Sequence, residues 1–150
     1  IKRHMNSDKK DKNIFYNKDI EDIFIHMESL KNFRFINYDF DLNSVLTTCD
    51  VLITDYSGVI FDFLYQDKPI ITYAPDYKIF KKQNGFSFDP VENEFTHYAS
   101  DIEMLSNFII EFNSNKKLFN NRFKNQRNRV KNQVFQNDTG IEKIINLIKR

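Results

Sequence analysis

Residues 50–63 read DVLITDYSGVIFDF, a strand pattern that runs directly into a helix pattern. Val51-Leu52-Ile53-Thr54 is apolar up to its last residue, which predicts a strand covered on both faces. Ser57–Gln66 is predicted as the following helix. Pro69–Tyr73 is the next strand pattern, with proline at its first position, where a missing N–H donor is tolerated. This β–α–β order predicts two parallel strands joined by a crossover helix.

The sequence upstream continues the same alternation of strands and helices. Ile14–Leu30 has apolar residues at helical spacing, and Phe33–Ile36 is a short strand pattern. Asp41 or Asn43 is expected to cap a helix over residues 44–48. The chain is therefore predicted to be α/β, with a Rossmann-like open parallel sheet and flanking helices.

Downstream of the second strand the sequence becomes more irregular. A short helix is predicted over Asp76–Gln83, followed by an irregular segment over Phe86–Thr96. Ser100 and Glu103 have the spacing of a capping box, which predicts a helix that starts there and ends at about Phe112.

The last part of the chain is predicted to be helical, over Lys116–Val134 and Gly140–Lys149. The length of 150 residues fits one domain, residues 1–150, with an α/β core over 1–113 and C-terminal helices over 114–150. The sequence begins at Ile1 without an initiator methionine, so we expect a piece of a longer, two-domain protein.

The composition excludes several classes of protein. Lys+Arg 22 against Asp+Glu 21 gives a net charge of +1, which argues against a strongly basic nucleic-acid binder. A hydrophobic share of 41% argues against disorder, and the single cysteine, Cys49, excludes a disulfide scaffold. No apolar run approaches the roughly 18 residues of a membrane helix. No spacing of His, Cys or Asp predicts a metal site.

The turn between the first quoted strand and its helix is the strongest candidate for a binding site. The backbone N–H groups of Ser57, Gly58 and Val59 are expected to point out of a helix N-terminus, where an anion such as phosphate is favoured. The Ser57 hydroxyl is a further donor, and Gly58 leaves room for close approach. Asp62, one turn later, is placed to accept hydrogen bonds from hydroxyl groups. The same residues also form ordinary helix caps in proteins without a ligand, so the spacing alone leaves both interpretations open.

Four short motifs follow one another in the middle of the chain. They are, in order, Thr54–Phe63, Lys68-Pro69, Tyr73–Asp76 and Gly85–Asp89. In sequence and spacing they closely resemble the C-terminal half of the CDP-glycerol glycerophosphotransferase family, which makes teichoic-acid and capsule polymers. The family reads DVLITDYSSVIFDF, KP, YAPD and a GFYFD-like element at these places. The resemblance is looser at the ends, where Ile1–His4 is similar to a strand ending in Lys-x-His-Pro, and Asp138-Thr139-Gly140 to a closing segment.

The resemblance implies the donor-binding domain of a GT-B enzyme. Such an enzyme transfers glycerol phosphate from CDP-glycerol to a hydroxyl of a growing polymer and releases CMP. His4 is then the catalytic histidine near the donor diphosphate, and Asp62 holds the donor hydroxyls. The remaining implied donor-binding residues surround the turn: Thr54, Asp55, Ser57, Gly58 and Val59. No metal or cofactor is implied beyond the CDP-linked donor.

This sequence departs from the family pattern at two positions. Gly58 stands where the family has a second serine, which removes one hydroxyl from the phosphate turn. His4 is followed by Met5 instead of proline. The first departure bears on the identity of the donor, and the second on the role of His4.

The resemblance also implies partners and a location. These are a nucleotide-linked donor, a polymer or lipid-linked acceptor and an N-terminal GT-B domain beyond these 150 residues, which would supply the catalytic base. The location is then cytoplasmic, at the inner face of the cell membrane, where the basic segment Lys116–Lys131 is a candidate contact. Nucleic acid is not an expected partner. Two alternatives stay open: another GT-B glycosyltransferase or epimerase that uses a sugar nucleotide, and a non-catalytic nucleotide- or membrane-binding module.

Overall fold

The computed structural model describes residues 41–135, together with Ser29, Asn32 and Ile36. The chain divides into two compact units, Ile1–Ser44 and Val45–Arg150, and nearly all described residues belong to the second. Apart from the three single positions, the predictions for residues 1–40 and 136–150 lie outside the described residues. These include the helix over 14–30, the strand over 33–36 and the helix over 140–149.

The described residues form helices and short strands in alternation, with six helices numbered α1–α6 and three strands numbered β1–β3. A 3₁₀ turn over Leu64–Gln66 continues α2. The elements are α1 (Leu42–Thr48), β1 (Leu52–Thr54), α2 (Val59–Phe63), β2 (Ile70–Tyr73), α3 (Tyr77–Asn84), β3 (His97–Ala99), α4 (Ile102–Ser114), α5 (Lys116–Asn121) and α6 (Lys124–Val134).

The three strands form one parallel sheet in the order β1-β2-β3. Ile53, Ile71 and His97 are in register across it and therefore share one face. The predicted α/β class, an open parallel sheet with flanking helices, is confirmed. The third strand was not predicted, because three residues that include a histidine and a tyrosine carry no clear strand pattern.

The core lies between β2 and the helices that follow β3. Ile71 is fully buried and packs with Phe112 of α4 and Phe119 of α5. Leu105 and Phe108 of α4 join them, at the helical spacing that puts their side chains on one face. Burying an Ile or Phe side chain stabilises a fold by about 1.5–3 kcal/mol, so this contact fixes α4 and α5 on the sheet.

The prediction that the first quoted strand is covered on both faces is wrong for the described structure. Ile53 in β1 keeps 44% of its surface exposed. It shares the face of Ile71, but the helices that cover this face pack on β2 and β3. Ile53 at the β1 edge therefore lies beyond their cover.

The start of α1 agrees with the sequence and the start of α4 differs. The Asp41 carboxylate accepts hydrogen bonds from the backbone N–H groups of Asn43 (3.1 Å) and Ser44 (3.2 Å), as expected of a cap. At α4 the cap is Asp101, not Ser100, because Asp101 is extended and its carboxylate accepts from the N–H of Met104 at 2.8 Å. The predicted capping box is therefore not formed.

Two other helices have different bounds from those predicted. The predicted helix over 57–66 begins only at Val59 and ends in the 3₁₀ turn. The predicted helix over 116–134 is broken between α5 and α6, where Phe123 leaves helical geometry with φ −118° and ψ 21°. This break directs the Phe123 ring against His97, at 4.8 Å between centroids.

Candidate functional site

Three segments of the chain meet at the carboxyl-terminal edge of the sheet. They are the turn after β1 (Asp55–Val59), the segment after β2 (Ala74–Asp76) and the segment after α3 (Gly85–Asp89), and we call them together the motif edge. In open α/β sheets this is the edge at which ligands bind. All the predicted donor-binding residues lie at the motif edge or directly next to it, except Asp62, which is one turn into α2.

The first link within the motif edge is made by Tyr56. Its hydroxyl donates a hydrogen bond to the carboxylate of Asp76 at 2.6 Å, and its ring stacks on Phe80 of α3 at 4.0 Å between centroids. Burial, together with the hydrogen bond and the negative charge of Asp76, raises the pKa of Tyr56 well above its usual value. Tyr56 is therefore a neutral hydrogen-bond donor that ties the turn after β1 to the start of α3.

The second link is aromatic packing around Phe86. Its ring lies 5.4 Å from Tyr56, 5.3 Å from Phe80 and 5.9 Å from Tyr77. These four rings form one cluster that joins segments more than 20 residues apart in sequence. Such pairs contribute about 0.5–1.5 kcal/mol each beyond their buried area.

The third link is the buried carboxylate of Asp89. It accepts hydrogen bonds from the Tyr77 hydroxyl (2.7 Å) and the Val91 N–H (2.9 Å), and pairs with Lys81 at 3.0 Å. Burial acts to raise the pKa of Asp89, but these donors outweigh it and leave the pKa below its usual value. Asp89 is thus an ionised anchor whose bonds are used inside the fold.

Sequence reasoning did not select Tyr56, Asp76 or Asp89 as site residues. The signal was present, because all three stand in the motifs at Thr54–Phe63, Tyr73–Asp76 and Gly85–Asp89. What the sequence does not show is that these motifs contact one another.

The turn after β1 differs from the expected arrangement of free N–H groups. The N–H of Ser57 donates to the Asp55 carboxylate at 2.9 Å, so the expectation that it faces a ligand is wrong. The N–H of Val59 lies 3.5 Å from the Ser57 hydroxyl oxygen, a long contact. The N–H of Gly58 has no hydrogen-bond partner among the described residues. Within the described residues, the Gly58 N–H is therefore available to a ligand, and the Val59 N–H forms only a weak hydrogen bond.

Gly58 precedes α2 with ordinary helical angles, φ −57° and ψ −16°. A Cβ atom added at this position would meet no atom of the described residues within 4 Å. Neither the backbone nor the packing therefore requires glycine here, and the serine of the related motif would fit.

Asp62 lies on the exposed side of α2, four residues after Gly58 and therefore on the same side of the helix. No described residue forms a hydrogen bond or an ion pair with its carboxylate. Thr54 is the last residue of β1 and pairs in register with Thr72 of β2. His4 lies outside the described residues, so its predicted role stays a prediction.

Within residues 41–135, no group of three or more His, Cys, Asp and Glu side chains could hold a metal ion. None of the helices in the described part of the chain combines the length and apolarity that crossing a membrane requires.

The basic segment Lys116–Lys131 is largely engaged within the fold. Arg122 forms an ion pair with Glu111, Lys124 pairs with Asp67 at 3.1 Å, and Arg129 donates to the Asn93 carbonyl at 3.2 Å. Arg127 is buried and Lys131 lies 5.1 Å from the centre of the Tyr65 ring. The segment therefore does not present a continuous basic face.

Comparison with known proteins gives a consistent result. The model of the CDP-Glycerol:Poly(glycerophosphate) glycerophosphotransferase family matches residues 12–150. The chain is 29% identical over 136 residues to the minor teichoic acid biosynthesis protein GgaB of Bacillus subtilis strain 168, covering 83% of this chain and 15% of that protein. It is 36% identical over 66 residues to the teichoic acid poly(glycerol phosphate) polymerase of Bacillus spizizenii, covering 41% of this chain and 17% of the polymerase.

A third relative is the teichoic acid glycerol-phosphate primase of Bacillus subtilis strain 168. It is 34% identical over 87 residues, covering 57% of this chain and 23% of the primase. The chain thus spans less than a quarter of the length of each of these three relatives.

Proposed function

The chain belongs to the CDP-glycerol:poly(glycerophosphate) glycerophosphotransferase family, and on that premise we propose that it is the donor-binding part of a transferase. The reaction is the transfer of glycerol phosphate, or a related alditol phosphate, from a CDP-linked donor to a hydroxyl of a cell-surface polymer. The observation that carries the proposal is the family match over residues 12–150, whose motifs meet at one edge of the sheet. The names of the relatives, a glycerol phosphate polymerase and a glycerol-phosphate primase, support the same class of substrate.

The proposed donor site uses the turn after β1. The Gly58 N–H and the Ser57 hydroxyl bind a phosphate oxygen of the donor, and the Val59 N–H joins them when its long contact to Ser57 opens. Asp55 holds Ser57 in position through the 2.9 Å bond to its N–H, with Thr54 fixing the turn to β1. Asp62 accepts hydrogen bonds from the alditol hydroxyls.

The chemistry is attack by a hydroxyl oxygen of the polymer on the β-phosphorus of the donor. A new P–O bond forms, the P–O bond to CMP breaks and CMP leaves, while the hydroxyl proton passes to a base. The negative charge on the phosphates needs donors that are already in place. His4 is proposed to add positive charge at the diphosphate, beside the N–H groups of the turn. The base is proposed to be a group outside these 150 residues. With a CDP-linked donor, the reaction is proposed to take place on the cytoplasmic side of the membrane.

Contacts within the motif edge hold the turn after β1 in shape. The Tyr56–Asp76 hydrogen bond and the stacking of Tyr56 on Phe80 hold the turn against the start of α3. We assign these residues a positioning role, because their polar atoms are already bonded within the fold.

Isothermal titration of the 150-residue chain with CDP-glycerol, CDP and CMP tests the proposal, with CDP-ribitol and UDP-glucose as comparators. We expect binding of the cytidine nucleotides and tighter binding of a CDP-alditol than of CDP. Tighter binding of UDP-glucose would favour the sugar-nucleotide alternative. A folded chain that binds none of these nucleotides would contradict the proposal.

Asp62→Ala should weaken the binding of CDP-glycerol by ~1–3 kcal/mol, the range for a hydrogen bond left without its partner. The matched control is Glu103→Ala, which removes an exposed carboxylate near the start of α4. We expect unchanged affinity in the control and unchanged melting temperature in both variants. Equal affinity of Asp62→Ala and the original chain would remove Asp62 from the site.

A further inference from the structure

A shallow recess of about 230 Å³ lies at the amino-terminal side of β2. It contains none of the residues assigned to the donor site, and because Pro69 precedes β2, it lies at the opposite edge of the sheet from the motif edge. We call it the lysine recess. Its main lining residues are the lysines Lys68, Lys116 and Lys117, the carboxylate Asp50 and the apolar pair Pro69 and Phe112.

Lys68 holds one positive charge of the recess in a fixed position. Its ammonium donates to the backbone carbonyls of Thr47 at 3.0 Å and Cys49 at 2.6 Å. These carbonyls end α1, where a cation is favoured by the helix dipole. An ammonium group has three N–H donors, so one remains after these two bonds.

The other two lysines are easily redirected towards a ligand. Lys116 pairs with Asp50 at 2.8 Å, but both side chains are more than half exposed, 58% and 65%. Exposed pairs of this kind contribute about 0–1 kcal/mol, so a bound anion can replace Asp50 at little cost. Lys117 has no ion-pair or hydrogen-bond partner among the described residues.

The recess carries a net positive charge, and two of its lysines act on Asp50. The hydrogen bond from Lys116 and its charge lower the pKa of Asp50, burial opposes them, and the charge of Lys68 lowers the pKa further. The three ammonium groups and one carboxylate leave a net charge of +2 around the recess. Most other cations of the Lys116–Lys131 segment are engaged by partners within the fold. Within the Lys116–Lys131 segment, the available positive charge is therefore concentrated at the recess.

We propose that the lysine recess binds a phosphodiester group of a glycerol phosphate chain or of a glycerophospholipid. Its volume is below the ~300 Å³ at which pockets for drug-sized ligands begin, which suits a small anionic group. Ammonium groups bind phosphate as point charges. Pro69 and Phe112 offer apolar contact to the carbon atoms of the esterified alcohol. The inference stands on the recess alone and holds whether or not the chain binds a CDP-linked donor.

The test compares two double variants of the 150-residue chain. The first, Lys116→Gln with Lys117→Gln, removes two charges from the recess and leaves Lys68 in its structural role. The control, Lys78→Gln with Lys82→Gln, removes two charges from exposed positions of α3. One arm titrates a synthetic oligomer of glycerol phosphate, and the other measures sedimentation with vesicles of phosphatidylglycerol and phosphatidylcholine.

We expect the recess variant to lose binding by about tenfold or more, and the control by less than about twofold. A loss confined to the oligomer arm identifies a free glycerol phosphate chain as the source of the phosphodiester. A loss confined to the vesicle arm identifies a lipid headgroup. Equal losses in the two variants, or no binding to the original chain in either arm, would overturn the proposal. Melting temperatures and the single variant Lys117→Gln separate loss of charge from loss of fold.

Discussion

The motif edge and the helical face of the molecule are held together in contrasting ways. At the motif edge, two tyrosines of the four-ring cluster also bond to carboxylates: Tyr56 to Asp76 and Tyr77 to Asp89. The helical face consists of α4 and α5, which pack on the sheet, and of α6, which packs on α5 and on the 3₁₀ turn. There aromatic rings enclose His97, whose two ring nitrogens have no hydrogen-bond partner in the described part of the chain.

Arg127 is a second buried polar residue of the helical face whose side-chain nitrogens are only partly hydrogen-bonded. It is only 1% exposed, and one guanidinium nitrogen donates to the backbone and side-chain oxygens of Asn120. Its other two nitrogens have no partner among the described residues. Burial lowers its pKa, and the charge of Asp67 opposes this.

The difference indicates how the two regions divide stability and function. The motif edge is shaped by directional bonds near solvent, so its changes should affect ligand binding more than folding. The helical face is shaped by apolar burial around uncompensated polar groups, so its changes should affect folding. The four predictions below test this division, from the largest effect to the smallest.

Phe119→Ala should cause the largest loss of stability. Phe119 is fully buried, stacks on His97 at 3.7 Å and packs against Phe112 at 5.7 Å between centroids. Removal of a buried Phe costs about 3–5 kcal/mol, measurable by urea denaturation. The neighbouring Leu118→Ala is the control, since Leu118 is exposed and should change the free energy of unfolding by less than about 0.5 kcal/mol. Similar effects of the two variants would refute the assignment of stability to this face.

Protonation of His97 should be the next largest effect. Burial first, and then the charges of Arg122 and Arg127, lowers the pKa of His97 from 6.5 to about 4, against opposing effects of the Phe119 backbone and of the Glu111 charge. Because the folded pKa is below the unfolded one, the unfolded chain binds a proton first as the pH falls. Stability from this group is complete above pH 6.5 and is lost progressively towards pH 4, by at most about 3 kcal/mol.

Denaturation of the original chain and of His97→Phe at several pH values measures this effect. The difference between the two should change between pH 6.5 and 4 and stay constant above pH 7. Carboxylates with lowered pKa, such as Asp89, lose their contribution at still lower pH and do so in both proteins. A difference that is independent of pH would show that His97 has the same pKa in the folded and unfolded chains, as expected of a solvated side chain.

The three strands of the sheet differ in how far the sequence predicted them. The strands over Leu52–Thr54 and Ile70–Tyr73 were predicted because continuous apolar runs leave few other structures. The strand over His97–Ala99 was missed, since its burial depends on α4 and α5, which come later in the chain.

At the candidate site the sequence predicted the location and not the bonding. The turn after β1 lies at the carboxyl edge, as the strand–turn–helix pattern requires. Adjacent carboxylate and hydroxyl side chains, however, compete for the same N–H groups, so that Asp55 binds Ser57 and Asp101 replaces Ser100 as a cap. The Tyr56–Asp76 bond spans 20 residues and depends on the register of β1 and β2. Sequence pattern alone does not determine either outcome.

Tyr56→Phe should have a smaller effect on stability than the changes at the helical face. It retains the stacking on Phe80 and removes the hydrogen bond to Asp76, at a cost of about 0.5–1.5 kcal/mol. Tyr65→Phe is the matched control, because Tyr65 is exposed and its hydroxyl has no partner among the described residues. We expect Tyr56→Phe, and not the control, to weaken CDP-glycerol binding severalfold in titrations. Unchanged binding would show that the turn after β1 keeps its position without the hydrogen bond to Asp76.

Gly58→Ser and Gly58→Ala should have the smallest effects, and they test the turn most directly. The helical angles at Gly58 and the open space around its Cβ position allow both side chains. Alanine should raise stability by about 0.4–1 kcal/mol because it restricts the unfolded chain. Alanine should leave donor affinity within about twofold of the original, and serine should raise it by adding a phosphate-binding hydroxyl. If alanine instead weakens binding tenfold in a chain of undiminished stability, the donor must pack directly against the Gly58 Cα, and glycine at this position is a requirement of the ligand and not of the fold.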